Sequence, residues 1–198
     1  SRGDGNSVNR ITWVSPDGEV LYDSFADSES LENHKDRPEI AAEELPADAY
    51  RDDVAANLAV AERWVTEHSD TEFDFFLPPY SILFWDKVIR EGRTEAVFAA
   101  IRQAGQTLLQ YDNVKFYGYL MDPEIVTNLD NYCDYIHHSG GVCREILAML
   151  QREEGRLTEE NLEETLANWR EFVVHYDYDQ FWDERFWIQW NAEHAAAP

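Results

Sequence analysis

The chain has 198 residues, of which 44% are hydrophobic and 14% aromatic, enough apolar surface for one buried core and too much for wholesale disorder. Its 40 acidic against 16 basic residues give a formal charge of −24, a surface that repels phosphate backbones and anionic lipid headgroups. Nucleic-acid partners are therefore excluded as an expectation. No apolar run approaches the roughly 18 residues of a membrane span.

In chain order, the first ten residues are polar and read as a frayed end. Ile11 to Ser15 and Glu19 to Ser24 are short β-rich runs on either side of Pro16, Asp17 and Gly18, which predicts a β-hairpin. Ala26 to Leu45 is acidic and irregular, with room for one or two helical turns. From Asp48, set to cap a helix, Val54, Leu58, Ala61 and Val65 recur at helical spacing up to about His68 to Asp70. Phe73 to Leu77 reads as a buried strand stopped by Pro78 and Pro79. Ser81 to Glu91 is a short helix closed by Gly92. Thr94 to Tyr111 is a longer one with Val97, Ile101, Ala104 and Leu108 on one face.

Val114 to Leu120 is the next strand, and Met121 to His138 follows it as a loop. After Ser139, the stripe of Val142, Ile146, Met149 and Leu150 marks a helix ending at Gly155, with Cys143 assigned to its apolar side. Thr158 then caps a last helix carrying Glu159 and Glu160 in its first turn, and Leu162, Leu166, Trp169 and Val173 on its face. The aromatic tail from Phe172 to Trp190 is expected to pack over the core, with a carbohydrate-stacking or partner surface as the other use.

Alternating helices and strands predict an α/β fold: a three-layer α/β/α sandwich with a small, mostly parallel sheet, plus the N-terminal hairpin. The division is residues 1–45, hairpin and acidic linker, and 46–198, the α/β domain. Two parallel strands leave open edges, so pairing with the hairpin or in a homodimer is expected. Functional groups of such sheets gather beyond the carboxyl ends of the strands, which puts Pro78 to Ser81 and Met121 to His138 on one edge.

On that edge Asp134 and His137 stand three residues apart. A carboxylate at this spacing can accept a hydrogen bond from one ring nitrogen, leaving the other to act as a base. His138 reads as a capping or solvated neighbour, Tyr80 and Ser81 as residues bordering the site. Cys133, Asp134, His137 and His138 are all metal-ligand types, but they crowd one short loop without a distant fourth ligand, so no metal or cofactor is expected.

The residues Arg10 to Ser24 and Glu32 to Ile40 resemble the extracytoplasmic sensor segment of phosphate-responsive-type sensor histidine kinases. Phe75 to Trp85, Tyr111 to Phe116 and Asn128 to His137 together resemble the C-terminal half of a bacterial SGNH/GDSL-hydrolase-like cell-envelope family, from about residue 48 to 179. The second resemblance implies an esterase or O-acyl transferase acting on a surface polysaccharide, with His137 as general base and Asp134 as its orienter. The family's N-terminal half, with its nucleophile strand, has no counterpart, so either the chain is without activity, or Ser24, at the end of the run from Val20, or Ser7 supplies the nucleophile, or the catalytic half lies on another chain. The alternative is a non-catalytic extracytoplasmic sensing or binding module. Both readings imply a location outside the cytoplasm or in the cell envelope.

Overall fold

A computed structural model of the chain describes residues 37–132 and 134–182, and the backbone of two strands before them. Those strands, β1 (Ile11–Val14) and β2 (Val20–Tyr22), pair antiparallel as the expected hairpin. The remaining elements are α1 (Arg51–Glu67), β3 (Phe73–Phe76), α2 (Ile82–Arg90), α3 (Thr94–Leu108) and β4 (Val114–Tyr117), then α4 (Pro123–Val126), α5 (Gly140–Arg152), β5 (Arg156–Leu157) and α6 (Leu162–His175).

This is an α/β arrangement, but its sheet is mixed: β4 lies at the centre, parallel to β3 and antiparallel to β5. Two residues of β5, too short to carry a period, were not visible as a strand in the sequence. Among the described residues the hairpin pairs as a two-stranded sheet of its own. The strand expected over 114–120 stops at Tyr117 and tightens into a 3₁₀ turn over Tyr119–Met121.

Alternation along β4 divides the core. Val114 and Phe116 belong to the larger apolar cluster, with Leu58 and Val65 of α1, Trp85 of α2 and Trp169 of α6. Tyr117 points the other way, into a smaller cluster with Tyr119, Ile125 and the α5 stripe of Val142, Ile146 and Met149. Cys143 is exposed instead of lying on that stripe: it is one position past Val142, a turn of about 100° that carries it off the buried face.

Several boundaries moved for local reasons. The residue before α1 is Tyr50, and Asp48 pairs with Arg51 at 3.5 Å instead of capping. Residues 37–45 contain no helical turn. Thr158 and Asn161 do exchange hydrogen bonds, Thr158 N–H to Asn161 Oδ1 at 2.8 Å and Asn161 N–H to Thr158 Oγ1 at 3.3 Å, but they close a turn ahead of α6. The acids in its first turn are accordingly Glu163 and Glu164. Gly92, at φ 65°, ends α2 as expected. Gly105 lets α3 and α6 approach closely, since a Cβ there would meet Leu162 Cδ2 at 2.7 Å.

The tail from Phe172 packs inward as far as it is described, with Tyr178 and Phe181 buried and Tyr176 stacked on Phe181. Arg37 fastens this tail and the segment before α1 to α2. Its guanidinium forks onto Asp86, Nε to Oδ2 at 2.7 Å and an Nη to Oδ1 at 2.8 Å, and reaches Asp179 at 2.6 Å. Asp86 is buried, so its charge is tolerable only with that partner. Arg37→Ala should lower unfolding free energy by about 3 kcal/mol in urea denaturation, whereas Arg37→Met combined with Asp86→Leu should lose distinctly less.

Candidate functional site

The loop from Asn128 to Gly141 leaves the β4 edge and returns to start α5. Asn128 Oδ1 accepts the Asp130 N–H at 3.1 Å, and the residues that follow make a single 3₁₀ turn. Asn131 donates from its side chain to the Ile125 carbonyl at 3.0 Å and accepts the Ser139 N–H on its own carbonyl at 2.8 Å. Ser139 caps α5 by accepting the Val142 N–H at 3.3 Å. The loop is therefore pinned at both ends by side chains that suit turns and caps.

Asp134 is its internal pin. Oδ1 accepts the N–H groups of Ile136 at 2.9 Å and His137 at 2.6 Å, and Oδ2 lies 2.5 Å from His137 Nδ1. A carboxylate only accepts, so the ring donates from Nδ1. The spacing thus produces the contact read from the sequence. The carboxylate is buried and also carries two backbone N–H groups, which orders the loop whatever the ring does. His137 is exposed.

Two tyrosines join this loop to the end of β3. The Tyr132 hydroxyl donates to the Pro79 carbonyl at 3.0 Å, and burial raises its pKa. The Tyr135 carbonyl accepts both the Ser81 N–H at 2.9 Å and the Ser81 hydroxyl at 3.0 Å. Burial pushes the Tyr135 phenol up to about 12, and Lys87 lies 5.4 Å above its ring. Ser81 is fully buried, begins α2 and has its hydroxyl committed to a carbonyl. Tyr80 packs edge-on against Phe84 at 4.9 Å. Neither Ser81 nor Ser139 is hydrogen-bonded to His137, and Ser7 and Ser24 lie outside the described residues. Cys133 lies outside them too.

His138 is half-buried, its Nδ1 lacks a partner, and burial lowers its pKa against a weaker opposing contact with the Ile136 backbone. It is a half-buried neighbour of the loop where the sequence suggested a capping or solvated residue, and the cap of α5 is Ser139.

On the other side of the same loop lies a cleft of about 420 Å³ between α4 and the start of α5. Ile125, Val142 and Met149 give it an apolar floor, and Asp122, Glu124, Glu145 and Glu154 line its rim. Asp122 caps α4, accepting the N–H groups of Glu124 at 3.0 Å and Ile125 at 3.2 Å. Arg152 holds Glu145 at 3.2 Å and Glu154 at 2.7 Å. Tyr80 and Ser81 do not line this cleft. Sequence reasoning missed it because its walls come from α4, a four-residue helix read as loop; Asp122 before Pro123 was the available signal.

Two expected outcomes follow from the loop. Asp134→Ala should speed amide exchange at Ile136 and His137 by about tenfold or more, since each loses its acceptor. Because the folded pKa of His138 lies below its unfolded value, its neutral form stabilises the fold above the ordinary imidazole range, and that stability falls as pH drops through the folded value. Between the two values stability should decline as pH falls, because the unfolded chain binds the proton more readily there. Urea midpoints between pH 7.5 and pH 5 should fall less in His138→Gln than in the parent.

No family model matches the chain, and no solved structure matches it. Proteins of curated sequence that do match are UPF0735 ACT domain-containing proteins of Lacticaseibacillus casei (strain BL23) and Lacticaseibacillus paracasei (strain ATCC 334), each 24% identical over 90 residues. The match takes in 46% of this chain and 62% of each relative, so the chain spans about three fifths of their length. This similarity overturns the resemblance to SGNH/GDSL hydrolases and that to sensor histidine kinases, and with them the esterase and acyltransferase activity. Among the described residues no helix is long and apolar enough to cross a membrane. What the comparisons place beside this chain is a pair of ACT domain-containing proteins.

Proposed function

We propose that the chain is a non-catalytic sensing or binding module whose ligand, a small molecule carrying a cationic group, seats in the cleft between α4 and α5. The observation that carries this reading is the cleft itself, a concave site at the carboxyl end of β4 with an apolar floor and an acidic rim. Its acids are unequal. Asp122 is committed to a cap, while Glu145 and Glu154 share Arg152, which leaves Glu124 as the rim carboxylate best placed to meet an ammonium or guanidinium.

The relatives' names add support from a separate direction, because an ACT domain would bring a regulatory ligand-binding role to this chain. The loop from Asn128 to Gly141 then acts as a wall held in one shape by Asp134, Asn131 and Ser139. A three-layer arrangement belongs to the same reading, with α5 on one face of β4 and α1, α3 and α6 on the other. Two oppositely directed clusters along that strand favour it.

Thermal-shift titration with basic amino acids and small amines, beside acidic and neutral counterparts, tests the proposal. A cationic ligand should raise Tm saturably, with about 2.7 kcal/mol of stabilisation at a hundredfold excess over Kd. Glu124→Gln should weaken that ligand about tenfold, one charge-assisted hydrogen bond's worth. Equal shifts from acidic compounds, no shift from any cation, or an unchanged affinity in Glu124→Gln would each sink it.

A further inference from the structure

The outer edge of β3 is open among the described residues, and its geometry is specific. Phe73 and Phe75 register on Val114 and Phe116, the Phe73 N–H donates to the Asn113 carbonyl at 2.9 Å, and the Leu77 N–H donates to the Tyr117 carbonyl at 2.9 Å. Odd-numbered residues therefore spend their peptide groups on β4. Those of Asp74 and Phe76 face away from the sheet. Both side chains are exposed as well, Phe76 at 41%. The usual protections are slight here: Phe73–Phe76 holds no proline, its register on β4 has no bulge, and Asp74 is its one charge.

The chain carries a segment with the complementary need. Among the described residues the hairpin pairs only with itself, and an isolated two-stranded hairpin is marginal in water. Its β1 has four residues, Ile11, Thr12, Trp13 and Val14, as many as β3, and all four are β-branched or aromatic. Residues 23–36 connect it to Arg37. Fully extended, such a stretch reaches about 48 Å. The folded part has a radius of gyration of about 15 Å, so any of its edges is within range. Tethering supplies an effective concentration of about a millimolar.

A second copy is the poorer occupant. An antiparallel twofold pair of β3 edges centred on Asp74 would set two carboxylates face to face, on chains that each carry a charge of −24.

We propose that the Ile11–Tyr22 hairpin adds through β1 to the outer edge of β3, extending the mixed sheet from three strands to five. Amide hydrogen exchange on the full chain, read residue by residue, tests this. The Asp74 and Phe76 amides should exchange at least about tenfold more slowly than unprotected ones, independently of protein concentration. Thr12→Pro or Trp13→Pro, which remove β1 donors, should release both while the inward-facing Phe75 and Phe116 amides stay protected. Unprotected Asp74 and Phe76 in the parent overturn the proposal. So does protection that grows with concentration and survives both proline variants, the mark of a second copy.

Discussion

Central strand β4 is the constraint on which the rest depends. Its four residues pair with β3 on one side, Phe116 and Tyr117 pair also with β5 on the other, and three of the four are buried. A short strand enclosed on both faces must be apolar in both directions, which Val114, Phe116 and Tyr117 satisfy. The helices then have no choice of side. Those whose stripes match Phe116 collect around Trp85 and Trp169, and the stripe that starts at Val142 closes over Tyr117.

Downstream of β4 the chain spends its polar groups on holding the loop from Asn128 to Gly141. Its described side-chain hydrogen bonds are local or reach back to Pro79 and Ser81. An aspartate three residues before a histidine suits catalysis, where it accepts from Nδ1, and turn-building, where it accepts from backbone N–H groups. At Asp134 both kinds of contact are present, two backbone N–H groups on Oδ1 and the His137 ring on Oδ2. Any catalytic use would need a nucleophile beside His137, and the buried Ser81 hydroxyl is committed elsewhere.

Charge follows the same economy. With 40 acids and 16 bases, several of the described basic residues pair within their own turn, as Arg51 does with Asp48, and a few tie separate segments. Lys115 on β4 meets Glu72 before β3 and Glu153 after α5, and Arg170 on α6 meets Glu95 on α3. Exposed pairs of this kind add little stability individually. Arg37 differs because one of its partners is buried, so its loss would strand a charge where water cannot reach.

The sequence by itself determined the elements with a long enough period to read: α1, α2, α3, α5, α6, the hairpin and the two phenylalanine-bearing strands. It also determined the contact between Asp134 and His137, since three residues of loop leave the carboxylate few other donors. Tertiary structure alone decided the direction of β5, the exposure of Cys143, and the cleft between α4 and α5. Each rests on which surfaces meet, and no local window of residues holds that information. Family wording misled for the same reason: a short motif fixes local hydrogen bonds, while chemistry depends on groups that distant parts of the chain bring to it.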